Sequence, residues 1–318
     1  MIKRIYFILI ILSLLLTHCG DKDLFIEMGP SYNSGSSVYE FSGEWGEDLS
    51  SSTLGAFKKP YGIYIKKIGN KEAVYVVDSG NNRIERFDTS GNIWAWLSGG
   101  SIGTEGNTAG KFEVPINIFV DKSNNMFIAD MYNGRVQKFD SDGNVKFLIG
   151  DYNTNTLIQP VGVACDSGGN IYVVDKIRNH IKKFSSAGTY ISTFGLFNNP
   201  SDIYIFNDEI YVSDTGNHCI VKYDILGNKK ATIGSFGYKI DELNAPKGIY
   251  VDKNYIYVID GNYVKIFNKD GNFFTYIGGG TGESKGLFDE PSDVAADELG
   301  NLYITDTENN RVTVFKKR

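Results

Sequence analysis

Pro115-Ile116-Asn117-Ile118-Phe119-Val120-Asp121, Met126-Phe127-Ile128-Ala129-Asp130, Arg135-Val136-Gln137-Lys138-Phe139 and Val145-Lys146-Phe147-Leu148-Ile149 are four short apolar runs in close succession. Turn residues separate them: Lys122 to Asn125, Met131 to Gly134, and Asp140-Ser141-Asp142-Gly143-Asn144. Short β-branched and aromatic runs broken by Gly, Asn and Asp predict a four-stranded antiparallel meander. Such a sheet has two apolar faces and cannot bury both alone.

The unit recurs outward in both directions. Six of the seven prolines, Pro60, Pro115, Pro160, Pro200, Pro246 and Pro291, fall 40 to 55 residues apart. Asp78, Asp130, Asp175, Asp214, Asp260 and Asp306 keep nearly the same offset from them. A fixed period of this length predicts a repeat architecture whose copies bury one another's faces. Stacked radially, the sheets close into a ring with only short edges left open. The last unit stops at Arg318, just after its third strand, while Val38 to Gly46 is strand-like and has no unit of its own. The expected fold is therefore an all-β, six-bladed β-propeller of four-stranded antiparallel blades, closed by an N-terminal strand completing the last blade. It should occupy residues 38–318.

Three segments carry a finer pattern: Lys285-Gly286-Leu287-Phe288-Asp289-Glu290-Pro291, Gly300-Asn301-Leu302-Tyr303-Ile304-Thr305-Asp306, and Asp306-Thr307-Glu308-Asn309-Asn310-Arg311-Val312. The same approach to proline, second strand and tight turn appear at Ala109 to Pro115, Gly169 to Asp175 and Asp78 to Ile84. Units of this kind resemble NHL repeats, and the resemblance covers about residues 38–318. Units three to five depart at the turn, with His180, His218-Cys219 and the shortened Asp260-Gly261-Asn262. The recurrent Asp and Asn are expected to hold the bend between strands two and three by accepting turn amides.

The chain opens on a basic pair, Lys3 and Arg4, followed by an apolar run from Ile5 to Leu16. That run suits the core of a secretory signal and is too short for a relaxed membrane span. Leu16-Thr17-His18-Cys19 resembles a bacterial lipobox, although His18 stands where the pattern carries a small residue. The expectation is a signal over residues 1–18, acylation at Cys19, and a flexible tether over 19–37 rich in Ser, Asn and Gly. Two acyl chains would hold the protein at a membrane of the cell envelope. The formal charge is −6, and about −8 without Lys3 and Arg4. An exported acidic chain without a Lys/Arg run is unsuited to neutralising phosphates, so nucleic acid is not an expected partner.

Resemblance to this propeller group also implies possible chemistry. Some relatives are lyases or lactonases with a metal in the central channel, and the amidating lyases use a histidine cluster on zinc. Here the histidines are His18, His180 and His218, too few outside the signal for a three-histidine zinc site. The latter two are expected as exposed turn residues. Cys165 and Cys219 fall on different strands of neighbouring blades, with buried thiols as the default. The hairpin Asp140 to Asn144 lacks EF-hand spacing.

One constellation stands out. The second residue after each repeat proline begins the innermost strand; the six are Gly62, Asn117, Gly162, Asp202, Gly248 and Asp293. Asn117, Asp202 and Asp293, on alternate blades, should converge at the channel mouth. Their oxygens could take a Ca²⁺-like ion or the polar end of a ligand. The face bearing the blade-joining loops, of which Ser98 to Glu113 and Gly278 to Glu290 are glycine-rich and long, is the expected seat of a protein or glycan partner. Binding is the preferred reading. The alternative is a metal-dependent hydrolase or lyase at the channel mouth.

Overall fold

A computed structural model describes residues 38–46, 53–96, 101–150 and 156–318. The expected signal, Cys19 and tether lie outside them. Among the described residues no helix is long and apolar enough to cross a membrane.

The chain forms six four-stranded antiparallel sheets. Blade 1 holds β2 (Pro60–Ile68), β3 (Lys71–Asp78), β4 (Arg83–Asp88) and β5 (Ser101–Ile102). Blade 2 holds β6 (Pro115–Val120), β7 (Met126–Asp130), β8 (Arg135–Phe139) and β9 (Val145–Ile149). Blade 3 holds β10 (Pro160–Cys165), β11 (Ile171–Asp175), β12 (His180–Phe184) and β13 (Tyr190–Phe194). Blade 4 holds β14 (Asp202–Phe206), β15 (Glu209–Asp214), β16 (Cys219–Asp224) and β17 (Lys229–Ile233). Blade 5 holds β18 (Pro246–Val251), β19 (Tyr255–Asp260), β20 (Tyr263–Asn268) and β21 (Phe273–Gly278). Blade 6 joins β22 (Pro291–Ala296), β23 (Leu302–Asp306) and β24 (Arg311–Lys317) to β1 (Tyr39–Trp45). The expected closure is thus present. Tyr39 lies opposite Lys317 and Trp45 opposite Val312, with a bulge between Phe41 and Gly43.

The core is divided rather than single. Six apolar clusters each sit between two neighbouring blades, so both faces of every sheet are buried. The second strand supplies a fully buried large aromatic in Tyr75, Tyr172, Tyr211 and Tyr257, with Phe127 in blade 2. Blade 1 is the irregular one. Its outer strand is only two residues long, and Trp94 and Trp96 instead clamp the Arg86 guanidinium at 5.0 and 4.7 Å.

Every joining segment plugs the blade it enters with the residue three before the proline. These are Phe57, Phe112, Leu157, Phe197, Leu243 and Phe288, all buried. The recurrent Asp fastens the same segment. Asp78 accepts from the Lys58 amide at 2.7 Å, Asp130 from Glu113 at 2.8 Å, and Asp306 from Asp289 at 2.7 Å. An Arg five residues on closes the clasp. Arg311 donates to Asp306 at 2.8 Å and to the Glu283 and Leu287 carbonyls of the joining loop. Arg135 grips Asn107, Thr108 and Lys111 in the same way. The recurrent Asp therefore holds the joining loop as well as the bend, where Asn81, Asn133, Asn217 and Asn309 donate to it. Over their described residues the glycine-rich loops are pinned by these bonds.

Neighbouring blades are also stitched at the proline. Asn82, Asn179, Asn262 and Asn310 each accept the amide just before the next blade's proline, at Val114, Asn199, Glu290 and Lys59. Those four donating residues have φ between 48° and 52°, a left-handed conformation strained for a β-branched residue such as Val114. Where the preceding blade has Gly134 or His218 in place of the accepting Asn, the residue before the proline is not left-handed. The side-chain bond is what sustains the strain.

Arg311 is 2% exposed and also pairs with Glu44 of the closing strand at 2.9 Å. Arg311→Ala should therefore cost about 3–5 kcal/mol in urea unfolding. Lys59→Ala, which removes only the exposed pair with Glu308, should stay within about 1 kcal/mol. Equal losses would show that closure does not depend on the buried clasp.

Candidate functional site

Each innermost strand starts at the axis, so the residues after the prolines meet there. Odd blades contribute Gly62, Gly162 and Gly248, and the glycines are sterically required. A Cβ on Gly62 would lie 2.8 Å from the Ile116 carbonyl oxygen, and one on Gly248 would lie 2.4 Å from the Ser292 oxygen. On Gly162 it would lie 3.0 Å from the Ile203 nitrogen. Even blades contribute Asn117, Asp202 and Asp293, which are buried at 8%, 5% and 7% exposure.

Those three polar side chains reach across blade boundaries. The amide of Val163 donates to Asn117 Oδ1, that of Ile249 to Asp202 Oδ2, and that of Ile63 to Asp293 Oδ2, each at 3.0 Å. Each donor is the residue immediately after an odd-blade glycine. Asn117 Nδ2 also donates to Asp202 Oδ1 at 3.0 Å. Asp202 Oδ1 and Asp293 Oδ1 further accept the amides of Ile203 and Val294 at 2.8 Å. The expected convergence of these side chains is present: the three ring the axis, Asn117 bonded directly to Asp202 and Asp293 to backbone amides.

Below the ring the channel is nearly filled. Tyr64 packs on Phe119, and Tyr204 on Tyr250, both at 5.2 Å between ring centroids. The remaining cavity of about 20 Å³ is room for one water. Above the ring opens a cup of about 200 Å³ whose floor is Asn117, Asp202 and Asp293. Its wall holds the residue directly after every proline: Tyr61, Ile116, Val161, Ser201, Lys247 and Ser292. Lys176, Asn199 and Thr215 complete it. Sequence reasoning stopped at the floor and missed this wall, although a shift of one residue along the same ruler finds most of it.

The electrostatics of the cup are uneven. Burial pushes the Asp202 carboxyl up to about 7. Burial, together with the Asp202 charge, pushes Asp293 well above the ordinary carboxylate range. On the wall, burial and the Lys247 charge hold Lys176 below the ordinary lysine range. Lys247 Nζ pairs with Glu290. For a Ca²⁺-like ion the floor supplies one amide and two carboxyls whose oxygens already accept backbone amides. That donor set is poor for a cation wanting six or more oxygens.

Other candidate groups lie away from the cup lining. His218 is half-buried in its turn rather than exposed as expected, with its ring 4.5 Å from that of Phe236. His180 is likewise half-buried and opens strand β12, because it takes the position of the clasp arginine while Arg178 reaches Asp175 at 2.8 Å. Cys165 and Cys219 are buried free thiols, and burial raises Cys219 to about 11. Among the described residues no three His, Cys, Asp or Glu side chains gather as a metal set. The Asp140 hairpin is an ordinary turn, its carboxylate accepting the amides of Asp142 and Asn144.

Together the sheets, the closing strand and the central ring define a six-bladed β-propeller with a polar cup on its axis. The NHL repeat model matches residues 197–223 and 288–315, so these two segments of the six-bladed propeller are NHL repeats. Human NHL repeat-containing protein 3 is 27% identical over 129 residues, covering 36% of this chain and 37% of that protein. The chain thus matches little more than a third of this curated relative. Among solved structures, an auxiliary nutrient binding protein from Bacteroides ovatus superposes with a TM-score of 0.66 at 17% identity, covering 88% of this chain and 76% of that one. Virginiamycin B lyase from Staphylococcus aureus superposes with a TM-score of 0.60 at 15% identity, covering 87% and 99%. Likeness at this level concerns the fold.

Two outcomes test the ring. Unfolded carboxyls titrate near 3.9, so between roughly pH 4 and 7 the native ring retains protons that the unfolded chain has released. Stability should fall as pH rises through that window. Urea midpoints measured from pH 4 to 8 should show a shallower fall for Asp202→Asn, and an unchanged slope would contradict the assignment. Separately, Gly248→Ala should cost about 1–3 kcal/mol by overpacking the axis. Gly43→Ala, with nothing within 4 Å of its new Cβ, should change little in the same thermal scan.

Proposed function

We propose that the protein is a non-enzymatic binding platform of the bacterial cell envelope. It is exported, held at a membrane by acyl chains on Cys19, and takes a protein or glycan partner on the propeller face around the cup. The observation that carries this reading is the side-chain content of that face. Its joining loops and its turns between strands two and three expose Leu196 at 95%, Tyr238 at 72%, Ile177 at 57%, Phe236 at 56% and Tyr132 at 53%. Tyr61, on the cup wall, is 38% exposed. Exposed apolar and aromatic side chains around a concave, polar centre are the usual makings of a recognition surface. The clasps hold this surface in shape, which lowers the ordering cost of binding.

A metal-dependent hydrolase or lyase at the cup is the second reading. It is favoured by the upward-shifted Asp202 and Asp293, since shifted carboxyls in a concavity suit acid–base work. Propellers of similar fold include both a binding protein and a lyase, so the fold does not choose between them.

Capture from envelope extracts should separate the readings. Leu196→Glu combined with Phe236→Glu should abolish retention of the partner. Leu299→Glu, on the opposite face, should leave it intact. Identical retention by all three proteins would remove the platform. Stoichiometric metal by elemental analysis, with turnover lost in Asp202→Ala, would establish the second reading.

A further inference from the structure

We propose that the axial cup is a subsite for a sugar bearing a carboxylate, such as a uronic acid residue of an acidic glycan, with the Lys176 ammonium as the anion's partner. This rests on the platform reading and names the chemistry of its centre.

Lys176 lies in the turn between β11 and β12. It follows the clasp residue Asp175, and its amide donates to the Gln159 carbonyl at 2.9 Å, which fixes its backbone at the cup wall. Its side chain lines the cup half-buried, and among the described residues its ammonium has no hydrogen-bond or ion-pair partner. Lys247 faces the same cup and has Glu290 as its partner. Two ammonium groups thus face one concavity, and the Glu290 carboxylate pairs with that of Lys247. Burial and the neighbouring charge both disfavour the charged form of Lys176. A ligand carboxylate placed there relieves both penalties at once.

The rest of the lining limits what carries that carboxylate. The volume of about 200 Å³ is shallow and close to the bulk of one hexose ring. Ser201, Thr215 and Ser292 spend their hydroxyl hydrogens inside the protein: Thr215 Oγ1 on the Pro246 carbonyl at 2.7 Å, Ser201 Oγ on the same carbonyl at 3.1 Å, and Ser292 with Thr307. Their lone pairs, with the floor carboxyl oxygens, remain as acceptors for ligand hydroxyls. The exposed flat ring of Tyr61 adds an apolar wall for the carbon face of a sugar. Because the floor is acidic and the wall basic, the ligand must be bipolar in depth. Hydroxyls point down to Asp202 and Asp293, and the anion stays up beside Lys176. A peptide terminus meets the anion requirement but brings few hydroxyls for the floor.

Titration calorimetry of the purified protein with glucuronate, glucuronamide, glucose and acetyl-dialanine tests this. Glucuronate should bind at least about tenfold tighter than neutral, isosteric glucuronamide, as one charge-assisted hydrogen-bonded pair in a partly buried site provides. Acetyl-dialanine should bind more weakly still. Lys176→Met, at a surface turn, should keep the wild-type melting temperature and erase the difference between glucuronate and glucuronamide. Lys247→Met should reduce that difference only in part. Equal binding of acid and amide, tighter binding of acetyl-dialanine, or an acid preference that survives Lys176→Met would each overturn the subsite. So would no detectable glucuronate binding. Retention of an envelope partner through Leu196 and Phe236 in any of those cases would leave the platform standing, so the two failures are distinguishable.

Discussion

The three hydrogen bonds from Asn117, Asp202 and Asp293 to the amides of Val163, Ile249 and Ile63 are the constraint on which the molecule turns. Six first strands must meet at an axis too narrow for six side chains. Alternation resolves the crowding: every second blade gives up its side chain, and the blade beside it spends one on the amide thus exposed. An amide buried there without a partner would cost about 1–3 kcal/mol. The polar triad is therefore the lining of the axis before it is anything else.

The periphery solves a different problem with a similar economy. Radial stacking leaves the first and last blades to meet without a covalent join, and β1 supplies it by pairing with β24. Packing reinforces the pairing, with Trp45 lying 4.8 Å from Phe87 of blade 1 and Phe41 lying 6.0 Å from Phe315 of blade 6. Arg311 ties the strand, the blade and the joining loop at one buried point. Its equivalents in blades 1 and 2, Arg83 and Arg135, pair with Asp78 and Asp130 and hold the joining loops. In blade 5 the shorter turn sets Tyr263 opposite Asp260, and Lys265 pairs with that carboxylate and holds the loop instead. Blade 4 has Cys219 at that position and keeps its joining segment by the Asp214 carboxylate on the Asn198 amide at 2.7 Å. The clasp tolerates loss of its cation because the carboxylate also accepts from the backbone.

Blade number, strand order and closure were legible in the sequence because each has a local signature: the proline ruler, the glycine turns, and an orphan strand facing an incomplete unit. The convergence of Asn117, Asp202 and Asp293 was legible for the same reason, since a ruler with six-fold spacing fixes angular positions. Their bonding was not. Nothing in one repeat says that its second residue after proline will accept an amide from the next repeat, because that contact exists only once the ring is closed. The glycines at 62, 162 and 248 were the available signal, being residues that mark close backbone approach. Lys176 was invisible for a related reason. It lies in a turn that departs from the pattern, and nothing local to that turn shows that its first residue, like Thr215 in blade 4, lines the cup.

This division between floor and wall bears on where function resides. Floor residues are tied to the ring, so changing them perturbs blade packing and any binding together. Wall residues one step nearer the proline carry no such duty in common. Tyr61, Ile116, Val161, Ser201, Lys247 and Ser292 are chemically unlike, although they occupy the same place in six repeats. A fold that needs only strand geometry at these positions leaves their side chains free. The asymmetry of the wall, basic and hydroxylated toward blades 3 to 5 with a tyrosine at blade 1, gives a pseudo-symmetric ring one preferred orientation for a ligand on its axis.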